Sequence, residues 1–186
     1  MKPGFALFLV SLAPAWCQIA KPASLPSPSL TAPRAARIPA PTISGLERAF
    51  NNRLATMADV NQNEAVDLLG DTRGVQLEDY GVVFTSEVSL VVTPGITPFR
   101  QKIPPELAAR VHKLRVERMP LLQAAMKEMM RDMAAAFTQV PAGQQMVLVV
   151  RLYYGPWEDT TGMPAQVIMR ASRASAAAGK VETEER

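Results

Sequence analysis

Four carboxylates stand in two adjacent pairs, Glu78-Asp79 within LEDYG (77–81) and Glu158-Asp159 within WEDTTG (157–162). Each pair lies between two alternating apolar runs and is followed by glycine, the composition of a turn. Brought together at one end of a sheet, Glu78, Asp79, Glu158 and Asp159 would offer oxygen ligands to a hard cation such as calcium. They would equally suit the acid and base of a small carboxylate-dependent hydrolase or metal-assisted enzyme. Held apart, they are solvated turn residues that cap backbone N–H groups, because one dipeptide fixes no catalytic distance. Aromatic residues accompany both pairs: Tyr80 the first, Tyr153 and Trp157 the second. An aromatic side chain in such a connection either folds back over the core edge or stands out as a binding contact. Trp157, Glu158, Asp159, Tyr153 and Tyr80 are therefore the candidate binding residues.

Other chemistries find little support. A nucleophile activated by imidazole needs a histidine beside it. The chain has one histidine, His112, inside the charged run ARVHKLRVER, and one cysteine, Cys17. His112 reads as a solvated surface residue. There is no phosphate-cradling glycine loop and no His/Cys cluster spaced for zinc, so no cofactor is expected. Met119, Met126, Met129, Met130 and Met133 crowd one segment, and exported thioethers can hold Cu(I). Met126, Met129 and Met133, however, fall on the same helical stripe as Leu122 and Phe137, where methionine is ordinary core filling. Arg110, Lys113, Arg115 and Arg118 alternate with Glu106 and Glu117, the pattern of a solvated helix face.

The elements that would position these residues begin after a long preamble. Lys2 precedes an apolar run, Phe5 to Ala13, broken by Pro14, which is the pattern of a secretory signal peptide (1–17) and too short to span a bilayer. Cleavage after Ala15 or Cys17 fits, and Trp16 argues against a lipid anchor at Cys17. A single cysteine allows no intramolecular disulfide. Residues 18–41 are proline-rich, with prolines at 22, 26, 28, 33, 39 and 41, a spacer of extended polyproline type. Between 42 and 173 there are 14 Lys or Arg and 14 Asp or Glu, so the chain's formal charge of +3 lies outside this core. That balance excludes a charge-driven nucleic-acid binder.

Within residues 42–173, Ile43, Leu46, Phe50, Leu54 and Met57 recur at helical steps, with Thr42 or Ser44 available as N-cap and a stop at 59–63. A further turn over 64–69 follows. Val82, Phe84, Val88, Leu90 and Val92 share one strand face, with 75–77 as hairpin partner. A long helix from Pro105 to Gln139 carries an apolar stripe with a gap at Arg118, kinked or split at Pro120. Met146, Leu148, Val150, Leu152 and Tyr154 alternate with Val147, Val149, Arg151 and Tyr153; a run so apolar on both faces reads as a central strand, whereas 165–171 suits a strand covered on one side. Residues 174–186 read as a frayed, disordered tail. The expectation is a single α+β domain of order α-ββ-α-ββ, with an antiparallel sheet of about four strands and helices on one face.

Tyr80-Gly-Val-Val-Phe84 with Glu87, the long helix, and Pro156-Trp-Glu-Asp159 followed by Gly162-Met-Pro-Ala-Gln-Val167 resemble a group of uncharacterised secreted bacterial proteins with the same order of elements. The resemblance covers residues 43–173 and implies export and one α+β domain, with no activity attached. The functional expectation is an exported, non-enzymatic binding or scaffold module at the cell envelope, secreted or periplasmic. Its partner would be an envelope or extracellular protein, engaged through the sheet edge and the Trp157 loop.

Overall fold

Pro39 and Pro41 cannot donate backbone hydrogen bonds, so they belong at a helix start, where the N–H groups are unsatisfied anyway. Helix α1 runs Ala40–Thr56 with Pro39 as its N-cap, ahead of the expected Thr42 or Ser44. Its stripe buries Leu46, Phe50 and Leu54. This is a computed structural model that describes residues 37–58, 66–95 and 102–186. All of them fall in one compact unit spanning 33–186. The expected signal peptide, Cys17 and nearly all of the spacer lie outside the described residues, as does the expected helix stop at 59–63.

Among the described residues, five strands form one mixed sheet in the order β1-β2-β3-β4-β5. They are β1 Asp67–Leu77, β2 Gly81–Ser89, β3 Gln145–Leu152, β4 Gln166–Ser172 and β5 Glu182–Glu185, with α2 at Pro105–Ala136 and α3 at Arg173–Ala177. The α+β class is as expected; the four-stranded, purely antiparallel sheet is not. Strands β2 and β3 pair in parallel, Gly81 opposite Gln145 and Val88 opposite Leu152. The reason is α2: at 32 residues it is about 48 Å long, enough to return the chain to the end of the sheet where β2 began. A strand laid beside β2 after such a crossover runs parallel to it.

The expected disordered tail is also corrected. Ser172 caps α3, its Oγ accepting from Ser175 N–H at 3.1 Å, and β5 pairs antiparallel with β4 from Arg170–Glu182 to Val167–Glu185. The turn expected over 64–69 gives way to β1, which pairs from Asp67 onward. Helix α2 is one helix through Pro120, which is exposed.

The helices lie on one side of the sheet. Phe84 on β2 meets Phe50 of α1 edge to face at 5.1 Å and Phe137, just past α2, in a stack at 6.1 Å. Around them Val82, Val88, Leu122, Met126, Met129, Met130, Met133, Met146, Leu148, Val150, Val167 and Met169 are fully buried. All five clustered methionines, Met119 included at 9% exposure, are therefore core. The opposite face carries Val75, Val83 and Val147 in one cross-strand row, with Val149 and Ile168 paired in the next. No described helix covers them, although only Val75 is exposed; Val83, Val149 and Ile168 are half-buried and Val147 is buried among its neighbours.

Candidate functional site

The two acidic connections are at opposite ends of the sheet. Glu78 and Asp79 join β1 to β2 beside Gln145, where β3 begins, whereas Glu158 and Asp159 follow the end of β3. From Gly81 to Val88 the strand covers about 23 Å, at about 3.3 Å per residue. The four carboxylates therefore do not meet, and the cation set Glu78, Asp79, Glu158, Asp159 is corrected on topology: a parallel β2-β3 pair puts their distal connections at opposite ends. Among the described residues, no group of three or more His, Cys, Asp or Glu side chains is placed to hold a metal ion.

The first connection is a tight turn. Tyr80 N–H donates to Leu77 C=O at 3.3 Å and Asp79 takes φ +60°, a left-handed conformation that Asp tolerates. Gly81 follows at φ +141°, and a Cβ there would lie 1.8 Å from Gln145 O. Only glycine lets β2 start this close to β3. Tyr80 is exposed, at 44%.

The second connection is anchored from beneath. Arg115 on α2 and Glu158 are buried side chains, 0% and 1% exposed, with Nε 2.6 Å from Oε2. That contact is an ion pair without the alignment of a hydrogen bond, and Arg115 Nη1 has no hydrogen-bond partner. The other groups compensate: Arg115 Nη2 donates to Ser89 Oγ at 3.2 Å, and the guanidinium lies over the Tyr154 ring, 4.9 Å from its centroid. Glu158 Oε1 accepts from Gly155 N–H at 3.0 Å and from Thr93 Oγ at 3.1 Å. Burial pulls the Arg115 pKa down, opposed by the neighbouring Glu158 and Tyr154. Burial likewise pushes the Tyr154 phenol up to about 12, and its O–H donates to Pro164 C=O at 2.6 Å. Arg118, also buried, donates from Nη1 to Leu90 C=O.

The rim of the loop is tied down as well. His112 Nδ1 lies 3.0 Å from Asp159 C=O; a carbonyl only accepts, so Nδ1 carries the proton. Asp159 is exposed, its Oδ1 accepting from Thr161 N–H at 2.9 Å. Hydrogen bonds from Thr161, with His112 nearby, hold its carboxyl below the usual aspartate range. Trp157 is half-buried and packs against the core. Of the candidate binding residues, Glu158 is thus an internal strut and Trp157 a partial core residue, while Tyr153, 49% exposed, continues the uncovered face past Arg151.

Sequence reasoning missed Arg115 and Arg118 as internal residues, placing them with Lys113 on a solvated face. The available signal was the gap in the α2 stripe: Val111, Arg115, Arg118, Leu122 and Met126 keep helical spacing, so both arginines face inward.

The sheet edges are shielded. On β1, Gly74 N–H donates to Glu47 Oε1 at 2.9 Å and Thr72 N–H to Asn51 Oδ1 at 2.8 Å, both from α1. The far edge, β5, is four residues long and carries three glutamates, a short charged edge of the kind that resists added strands.

No protein-family model, curated protein or solved structure matches the chain. No helix among the described residues is long and apolar enough to cross a membrane.

Proposed function

We propose that the protein is an exported, non-enzymatic binding module whose contact surface is the uncovered face of the sheet. The observation that carries this reading is the apolar patch of exposed Val75 and half-buried Val83, Val149 and Ile168, lying across four strands around the buried Val147 with no described helix over it. An apolar centre bordered by Arg73, Glu87, Arg151 and Arg170 has the make-up of a protein-binding surface, apolar inside and polar at the rim. Support for export comes from the signal-peptide pattern of residues 1–17, and the proline-rich spacer would hold the domain away from an envelope surface.

The reading moves the contact away from the sheet edge and from Glu158, since both are already engaged within the protein. It also disfavours the hydrolase alternative, which required the two acidic turns to converge. The test is native mass spectrometry of the protein recovered from its own envelope fraction, run beside Ile168→Glu and Trp157→Ala. The expected result is a processed chain with a stoichiometric protein partner that Ile168→Glu loses and Trp157→Ala keeps. A partner retained by Ile168→Glu, or a bare processed monomer in every sample, would overturn the assignment.

A further inference from the structure

A second region of the molecule, independent of the uncovered sheet face, gathers positive charge around a cavity. The second half of α2, α3 and the start of β5 border an open hollow of about 880 Å³ lined by Lys127, Arg131, Lys180, Ser172, Ser175 and Val181, among others. That volume lies in the range of small-molecule sites, several times what a bare inorganic anion fills. Lys127 and Arg131 are one turn apart on α2 and so share a face; Lys180, after α3, lines the same cavity.

The charges are poorly matched by acids. Among the described residues, no ion pair joins Lys127 or Lys180 to a carboxylate, and Arg131 engages only Glu128, through Nη1. Glu182 lines the cavity, but its carboxylate is 84% exposed and lies 3.7 Å from Arg170 Nε, an arginine of the opposite sheet face. The net lining charge is therefore positive. Backbone geometry shapes the same corner: Gly179 takes φ +71°, and a Cβ there would come within 3.1 Å of Arg131 Nη2. Glycine lets the guanidinium lie against the chain beside the cavity that both residues line. Ser172 Oγ donates to Ser175 Oγ at 2.9 Å, so the Ser175 hydroxyl keeps its own hydrogen to donate. Ala171 and Val181 supply an apolar floor.

We infer that this cavity binds a small molecule bearing a phosphate ester, with the phosphate held by Lys127, Arg131 and Lys180 and its organic body against Ala171 and Val181. Arginine's planar fork and two lysine point charges suit a phosphate dianion, and the spare volume with its apolar floor calls for more than the anion alone.

The experiment is calorimetric titration of the full chain with phenyl phosphate in low salt, with inorganic phosphate and phenol as comparisons. Phenyl phosphate is expected to bind saturably, more tightly than inorganic phosphate, with phenol inert. Lys127→Ala and Lys180→Ala should each weaken it about tenfold, the loss of one charge-assisted contact, and added salt should weaken the wild type. Both lysines are exposed, so thermal melting should confirm unchanged folds. Lys113→Ala, on the first half of α2, should bind as wild type, and so should Ile168→Glu, which separates this site from the sheet face. Absence of saturable binding, insensitivity to Lys127→Ala and Lys180→Ala, or an equal loss in Lys113→Ala, which would reveal only diffuse attraction, would each overturn the inference.

Discussion

The same dipeptide, Glu-Asp, occupies two connections of this sheet and does different work in each. After β1 it forms a tight exposed turn in which Asp79 and Gly81 supply unusual backbone angles. After β3 its glutamate is drawn under the loop to meet Arg115 in the interior, and only Asp159 stays in water. The lesson is that a turn-like composition describes the backbone and leaves the side chain's destination open. What decides it is the facing element: α2 presents a buried guanidinium to one connection, whereas the other lies beyond the sheet's opposite end.

The contrast can be broken most forcefully at the strut. Arg115→Ala strands a buried carboxylate and should cost about 3–5 kcal/mol in urea unfolding. Replacing the pair together, Arg115→Met with Glu158→Leu, should recover most of that loss, since apolar substitutes avoid the desolvation of two charges. If the double replacement is as damaging as the single one, the pair is not the support described. On the other connection the sensitive position is the glycine, not the acids. Gly81→Ala should cost about 3 kcal/mol or more, because a positive φ and a backbone collision at Gln145 coincide, while Asp79→Asn should stay within about 0.5 kcal/mol.

Alkaline unfolding gives a finer distinction. The Tyr154 phenol is pushed from 10.0 to about 12 in the folded protein. The folded state thus favours the protonated phenol, and this contribution is intact below pH 10 and is lost as pH rises toward about 12. Wild type should lose stability across that window, and Tyr154→Phe should lose less of it there; parallel profiles would remove Tyr154 from the strut. The smallest effect is expected at the rim, where His112→Ala forfeits one hydrogen bond to Asp159 C=O, about 0.5–1 kcal/mol by thermal or urea unfolding.

How much of this was legible in the sequence follows from what each signal reports. Leu46, Phe50 and Leu54 of α1 announce burial directly, and the two-sided apolar character of β3 announces a central place in the sheet; both readings hold. The one-sided pattern of β4 also holds, with Val167, Met169 and Ala171 buried. The direction of β3 was not legible, because periodicity reports which face is covered and says nothing about which way a strand runs; only the length of α2 bore on it. Strand β5 was hidden by its composition, Glu-Thr-Glu-Glu, since a short edge strand needs no apolar alternation. Arg115 and Arg118 were hidden by the general rule that arginine faces water, which fails where distant segments supply the compensating groups, the Glu158 carboxylate to one and the Leu90 carbonyl to the other.

The shielding of β1 by Glu47 and Asn51 has a consequence for the order of assembly. A nascent chain emerges from its amino end, so α1 exists before the strand it protects. When β1 first forms, its unused N–H groups can already be claimed by side chains about 20 to 30 residues upstream, the separation between Asn51 and Thr72 and between Glu47 and Gly74. The guard precedes the hazard, and a chain rearranged so that α1 is made last would leave its longest strand free to recruit neighbouring chains during synthesis.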